Sequence, residues 1–280
     1  MISPSIPQDK PRAELSVFIS DHASIYFLDP FPQNKQIALL LHGLGTEGSS
    51  WRFQIQALGA SGFRPIAIDL PGFGQSKFTG KRWSIKNTAG MVIDLISSLK
   101  VNRFHLVGIS MGGTIALQTA IDFPEYIESL TLINTFASLR PKRVGELYYL
   151  LRRYLKARFR GAGSQAELTA WRIFHKPDQE VLRQELIFNI RQTDPEVYKT
   201  AMYELGTFDV RKLIKKLSLP VMILTGENDT TVPLENQHDL AIGILGAQQI
   251  MIQNAGHGVI IDQPEEVDRL LVSFLSEHPI

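Results

Sequence analysis

The chain has 280 residues, 44% of them hydrophobic, with 21 glycines and 15 prolines spread along it. That is enough for one large α/β domain, or one domain with an insertion, to bury a sizeable core. A formal net charge of +1 supplies no global field for nucleic acid or an anionic membrane, and the lack of cysteine excludes disulfides, thiolate metal sites and a cysteine nucleophile.

The N-terminus reads Met1-Ile2-Ser3-Pro4-Ser5-Ile6-Pro7-Gln8-Asp9-Lys10-Pro11. Its prolines and its lack of an apolar run predict a flexible leader rather than a signal peptide. Leu15–Ser20 and Ser24–Leu28 follow as strands, short-linked through Asp21-His22 and so expected as an antiparallel hairpin at one sheet edge. Then come a strand at Ile37–Leu41, a helix at Ser50–Ser61, a strand at Pro65–Ile68 and a helix at Ser84–Leu99. The strand Phe104–Val107, the helix Met111–Phe123 and the strand Leu130–Ile133 continue the alternation. It resumes with the strand Val221–Leu224, the helix Leu234–Leu245, the strand Ile250–Ile252 and the helix Pro264–Ser276. This is the pattern of an eight-stranded, mostly parallel sheet with helices on its faces.

The stretch between Leu130–Ile133 and Val221–Leu224 is far too long for an ordinary connection and is rich in helix formers and aromatics. It predicts a helical cap, 135–208, inserted between two parts, 1–134 and 209–280, of one catalytic domain. No apolar run reaches bilayer-spanning length, so a cytoplasmic protein is expected.

After Phe104–Val107 comes Gly108-Ile109-Ser110-Met111-Gly112-Gly113, a Gly-x-Ser-x-Gly between strand and helix. Such a turn lifts the serine hydroxyl above the sheet edge, and glycines flank it because side chains there would strike neighbouring backbone. Asp229 lies in a loop after Val221–Leu224, and His257 stands between two glycines after Ile250–Ile252. Serine, acid and base thus fall in the order Ser110, Asp229, His257, each just past a strand, and the carboxyl ends of parallel strands share one edge. A serine hydroxyl needs a base to take its proton; a neutral imidazole does so near neutral pH, and a buried carboxylate holds its tautomer. Glu227 is the alternative acid. Ile37–Leu41 runs into His42-Gly43-Leu44-Gly45, where the N–H of Leu44, with that of Met111, is placed to receive an oxyanion. His42 reads as structural.

With these motifs the chain resembles the α/β-hydrolase superfamily over nearly its whole length. Asp69-Leu70-Pro71-Gly72-Phe73-Gly74-Gln75-Ser76 adds to the likeness. Some members of that family carry their acid after the strand preceding the cap. Asn134 stands there in this sequence, which favours Asp229. Members with an aspartate nucleophile are epoxide hydrolases and haloalkane dehalogenases, which Ser110 disfavours. Gly43-Leu44-Gly45-Thr46-Glu47 with Ser50-Trp51 resembles carboxylesterases and enol-lactonases, and Asp-Leu-Pro-Gly-Phe-Gly also resembles C–C bond hydrolases. The resemblance implies cofactor-free, metal-free hydrolysis of a small-molecule ester.

Two rivals lie outside that chemistry. Gly43-Leu44-Gly45-Thr46-Glu47-Gly48 is also a Gly-x-Gly-x-x-Gly, with Asp69 where a dinucleotide fold places its ribose-binding carboxylate. That reading is an NAD-dependent oxidoreductase; the other is a non-catalytic ligand receptor, which would not need an intact triad. His22, His105, His175, His238 and His278 form no metal-ligand spacing, and His105 reads as a core residue. Trp171 is the expected pocket-lining residue of the cap. Leu147, Leu151, Tyr154, Leu155 and Arg158 are helix-spaced among basic residues. They read as a cap helix facing the catalytic domain or as a basic amphipathic surface for lipid or anionic substrates.

Overall fold

Strands buried on both faces require helices on both faces, and the order of apolar runs delivers that arrangement. The computed structural model describes residues 15–139 and 163–280. The proline-bearing leader and the basic segment around Leu147–Arg160 therefore lie outside the described residues. The strands are β1 (Leu15–Ile19), β2 (Ala23–Leu28), β3 (Gln36–Leu41), β4 (Phe63–Ile68), β5 (Lys77–Phe78) and β6 (Phe104–Ile109). They continue with β7 (Ile127–Ile133), β8 (Val221–Gly226) and β9 (Gln248–Ile252).

The sheet runs β1-β2-β4-β3-β6-β7-β8-β9, with β5 paired to β2. β1 and β2 form the expected antiparallel hairpin, and every neighbouring pair from β4 to β9 is parallel. The strand missing from the sequence reading is β5, whose two residues pair with Ala23 and Ser24; a two-residue strand leaves no periodicity to detect. The expected helix Ser50–Ser61 begins instead as a 3-10 turn, Gly48–Trp51, before α1 (Arg52–Ala60).

Alternate residues of the central strands feed two cores. Leu39, Leu41, Leu106, Leu130, Leu132 and Ile223 face α2 (Ile85–Ser98) and α3 (Met111–Asp122). Leu40, Val107, Ile109, Ile133 and Leu224 face α1 and the C-terminal helix Pro264–Ser276. Ser84 caps α2 by accepting the Asn87 N–H at 3.1 Å.

Between β7 and β8 the chain leaves the sheet and forms α4 (Gly163–Ile173), α5 (Glu180–Gln192) and α6 (Pro195–Thr207). Asp194 starts α6, taking the N–H groups of Glu196 and Val197 at 2.8 and 3.2 Å, with Pro195 at the first helical position. The chain then returns through β8, α7 (Leu234–Gly243), β9, the one-turn α8 (Val259–Asp262) and α9 (Pro264–Ser276). No helix among the described residues is long and apolar enough to cross a membrane.

Candidate active site

From β3 the chain crosses to β4 on one side of the sheet, and β6 takes the place on the other side. The carboxyl ends of β3 and β6 therefore flank the point where strand order reverses, the usual crevice of such sheets. Two loops meet there. A Cβ built on Gly43 would stand 3.6 Å from Ser110 Cβ, in ordinary contact.

Ser110 has φ 54° and ψ −115°, a conformation that side chains rarely adopt. Holding it costs on the order of 1–3 kcal/mol. The residue stands at the N-cap of α3, where a serine ordinarily accepts an N–H of the first turn, yet its side chain makes no such bond. The amides of the first turn are thus not capped by this hydroxyl. The flanking glycines are required by contact: a Cβ on Gly108 would lie 2.7 Å from Gly113 N, and one on Gly112 would strike Leu41 O and lie 2.6 Å from His42 O. Such atoms cannot yield as a flexible side chain could.

Strands β7 to β9 carry the rest. His257 Nδ1 lies 2.9 Å from Asp229 Oδ2, and both side chains are buried. Asp229 Oδ1 accepts the N–H groups of Thr231 and Val232 at 2.8 and 3.0 Å. With Nδ1 turned to the carboxylate, Nε2 is the ring atom left to act as a base. Glu227 is exposed and braces a turn by accepting the Asn254 N–H at 3.0 Å.

Asn134 links this end to Ser110. The Ser110 N–H donates to Ile133 O at 2.9 Å. The next residue, Asn134, donates from Nδ2 to Gly256 O and His257 O at 3.0 and 2.9 Å and accepts the Gly226 N–H at 2.8 Å. The amide at the alternative acid position is thus a clamp on the histidine loop, using both ends of a side chain with φ 45°. An aspartate would present only acceptors to those two carbonyls.

His42 is structural, as the sequence suggested. Leu70 N–H donates to its Nε2 at 2.9 Å and its Nδ1 meets Gly43 O at 2.8 Å. Burial pushes its pKa down to about 4, so the imidazole is neutral and bridges two loops. Asp69 joins the same loops, accepting Gly48 N–H at 2.7 Å and Gln75 N–H at 2.8 Å. Burial raises its pKa, against the pull of those two bonds. The carboxylate that the dinucleotide reading needs for a ribose hydroxyl is already engaged.

The inserted helices close over this edge. A Cβ on Gly45, whose φ is 77°, would come 2.5 Å from Ile190 and 3.3 Å from Tyr198. Gly72 faces Val197 in the same way, and Gly258 faces Phe174. Arg172 donates to Thr230 O beside Asp229. Asp262 joins insertion to histidine loop. Its Oδ2 accepts Gly256 N–H at 2.8 Å, while its Oδ1 receives Lys176 Nζ at 2.8 Å and Gln179 Nε2 at 2.7 Å.

Trp171, the expected pocket residue, is 56% exposed, with the Arg183 guanidinium 4.1 Å from its ring centre. Further along that segment Phe174 and Ile173 lie against the histidine loop at Gly258. No group of metal-ligating side chains occurs among the described residues.

The family model for the alpha/beta hydrolase fold matches residues 39–264, and the chain belongs to that family. The monoacylglycerol lipase abhd6-B of Xenopus laevis is 26% identical over 275 residues, covering 88% of this chain and 77% of that protein. RutD of Pseudomonas syringae pv. syringae (strain B728a), provisionally named a carbamate hydrolase, is 26% identical over 253 residues, covering 86% of this chain and 94% of its own. The solved structure of the enol-lactonase from Burkholderia xenovorans LB400 matches with a TM-score of 0.82 at 25% identity, over 91% of this chain and 97% of that one.

Proposed function

We propose that this protein is a serine hydrolase that cleaves small carboxylic esters through an acyl-enzyme, with Ser110 as nucleophile, His257 as base and Asp229 as the acid that orients it. One observation carries the reading: a buried His257–Asp229 bond of 2.9 Å, clamped through Asn134 to the strand that binds the Ser110 backbone. In this reading Ser110 Oγ attacks the acyl carbon while its proton passes to His257 Nε2. The oxyanion of the tetrahedral adduct is received by the N–H groups of Leu44 and Met111; Met111 opens α3, so its N–H has no acceptor within the helix. Collapse expels the alcohol, which takes the proton from His257. Water, deprotonated by the same imidazole, then releases the carboxylic acid and restores Ser110.

The segment 135–208 acts as a cap, and the contacts of Ile190 and Tyr198 on Gly45 support its closing over the oxyanion loop. An ester bond is favoured because a monoacylglycerol lipase and an enol-lactonase, the latter opening a cyclic ester, stand among the similar proteins. The test is a panel of p-nitrophenyl esters of increasing chain length, with lactones and carbamates beside them, on wild type and Ser110→Ala. Ester turnover should fall on the order of a million-fold in the variant. Carbamate turnover without ester turnover would replace the substrate class. A variant that keeps more than a few per cent of the activity would remove the nucleophile.

A further inference from the structure

The Asp229 carboxylate has a fourth donor that no motif contains. Gln237, in the first turn of α7, reaches back across the Asp229–Pro233 loop and donates from Nε2 to Asp229 Oδ2 at 3.0 Å and to Val232 O at 3.1 Å. Oδ2 is also the oxygen that faces His257 Nδ1 at 2.9 Å. We propose that Gln237 is a positioning residue of the reaction: sharing Oδ2 with His257, it sets the orientation of the carboxylate and, through it, of the imidazole that acts as a base. The inference rests on the triad proposed above.

Four features support it. Both neighbours of the Gln237 amide are acceptor oxygens, so its amino end must face them; the flipped amide would set oxygen against oxygen. The carboxylate then holds two donors on each oxygen, two backbone N–H groups on Oδ1 and two side chains on Oδ2, which fills its acceptor sites. The Asp229 side chain is fully buried, so water has no access to replace a missing donor. Finally, Gln237 Oε1 is buried and has no hydrogen-bond partner among the described residues. A half-satisfied buried amide costs stability that an apolar side chain of the same size would not. Helix packing alone therefore does not account for glutamine here.

The consequence has a sign. An N–H donated to Oδ2 draws charge from the carboxylate. Without it the carboxylate is more basic and favours the imidazolium over the neutral ring, so the base is lost to protonation at a higher pH. The carboxylate also loses one of the bonds that keep it aligned with Nδ1. That alignment matters in the step where His257 takes the proton, so kcat should fall while KM changes little.

Gln237→Met preserves size and removes the donor. With active sites titrated by a serine-directed phosphonate, the acid limb of kcat/KM against pH should move upward by several tenths to about one pH unit. In the same variant kcat at the optimum should fall about tenfold, which is the expected cost of one hydrogen bond to a charged group. Gln237→Glu, nearly isosteric, brings a second negative charge to the pair and should move the limb further than methionine does. It decides the matter if the methionine variant does not fold. The third arm is ¹⁵N NMR titration of the His257 ring in Asp229→Asn, with and without Gln237→Met. No difference between the two is expected, because the effect runs through the carboxylate. A purely structural role would lower thermal stability in every variant and leave the per-site pH profile where it was, and that result overturns the proposal. A shift of equal size in the Asp229→Asn background overturns it too. Full activity in Asp229→Asn would instead unseat the triad itself, an outcome separate from either.

Discussion

The two ends of the site are built by different means. At the serine end the geometry is made of backbone: a residue at φ 54°, glycines whose missing side chains admit Leu41 O and His42 O, and a helix start left uncapped. At the acid–base end side-chain hydrogen bonds from Asn134, Gln237 and Asp262 join backbone bonds from Glu227 to Ile252 O and from Asn228 to Ala255 O in holding two loops. The difference follows from what each end must do. A nucleophile needs a fixed position and an adjacent amide, which steric exclusion supplies. A base and its acid need a set protonation and tautomer, which only hydrogen-bond partners can impose. Substitutions of the residues around Ser110 should accordingly act through packing, and those at the second end through chemistry.

Apart from loss of the Ser110 hydroxyl itself, the largest effect on turnover should come from the acid–base end. Asp229→Asn keeps the volume and the loop but presents the wrong partner to Nδ1, and kcat should fall about ten-thousand-fold with little loss of stability. Glu227→Gln should change kcat by less than about twofold, since Glu227 only braces Asn254. Steady-state kinetics on both variants checks the ranking, and the reverse order would transfer the acid to Glu227.

At the steric end the damage should be to the fold. Gly112→Ala drives a methyl into Leu41 O and His42 O, neither of which can retreat without moving β3. The expected cost is about 3 kcal/mol or more. Gly90→Ala provides the contrast, for it lies within α2 with nothing within 4 Å of the new Cβ. It should stabilise by about 0.5–1 kcal/mol. Urea denaturation of the two variants reads both numbers, and equal effects would show that glycine at the elbow is not a matter of space.

A side chain does contribute at the serine end. His42, and His105 within β6, are pushed by burial from an ordinary value of 6.5 down to about 4. The unfolded chain takes up these protons first as the pH falls, so their stabilisation is complete above about 6.5 and is lost progressively down to about 4. At full protonation the loss is on the order of 3 kcal/mol for each buried ring. The urea midpoint should therefore drop between pH 7 and pH 5, and a flat midpoint would mean that these rings are not held neutral.

This contrast also explains what the sequence disclosed. Backbone geometry leaves a local signature: the glycines around Ser110 can be read as a motif because Gly108 and Gly112 answer contacts close by in the sequence or on the neighbouring strand, whereas Gly45 answers Ile190 and Tyr198 far along the chain. The sheet was legible for the same reason, since β3, β6 and β8 are continuous apolar runs. Side-chain clamps leave no such signature. Asn134 reaches His257 across 123 positions, and Asp262 meets Lys176 across 86. Gln237 stands only eight positions from Asp229, but its reach depends on how the intervening loop folds back. Helix formers between β7 and β8 could be read from composition, while the contacts of Ile173 and Phe174 on the histidine loop could not. Trp171 is half-exposed and stacked by Arg183, while Phe174 packs against Gly258.

In the proposed mechanism Ser110 is the one activated serine of this chain. Treating the wild-type protein with a serine-directed organophosphonate and mapping the adduct by peptide mass spectrometry tests it directly. One label per chain is expected, on the peptide that contains Ser110, formed far more slowly in Asp229→Asn and absent in Ser110→Ala. A label on a different peptide, or labelling that survives in Ser110→Ala, would contradict the account.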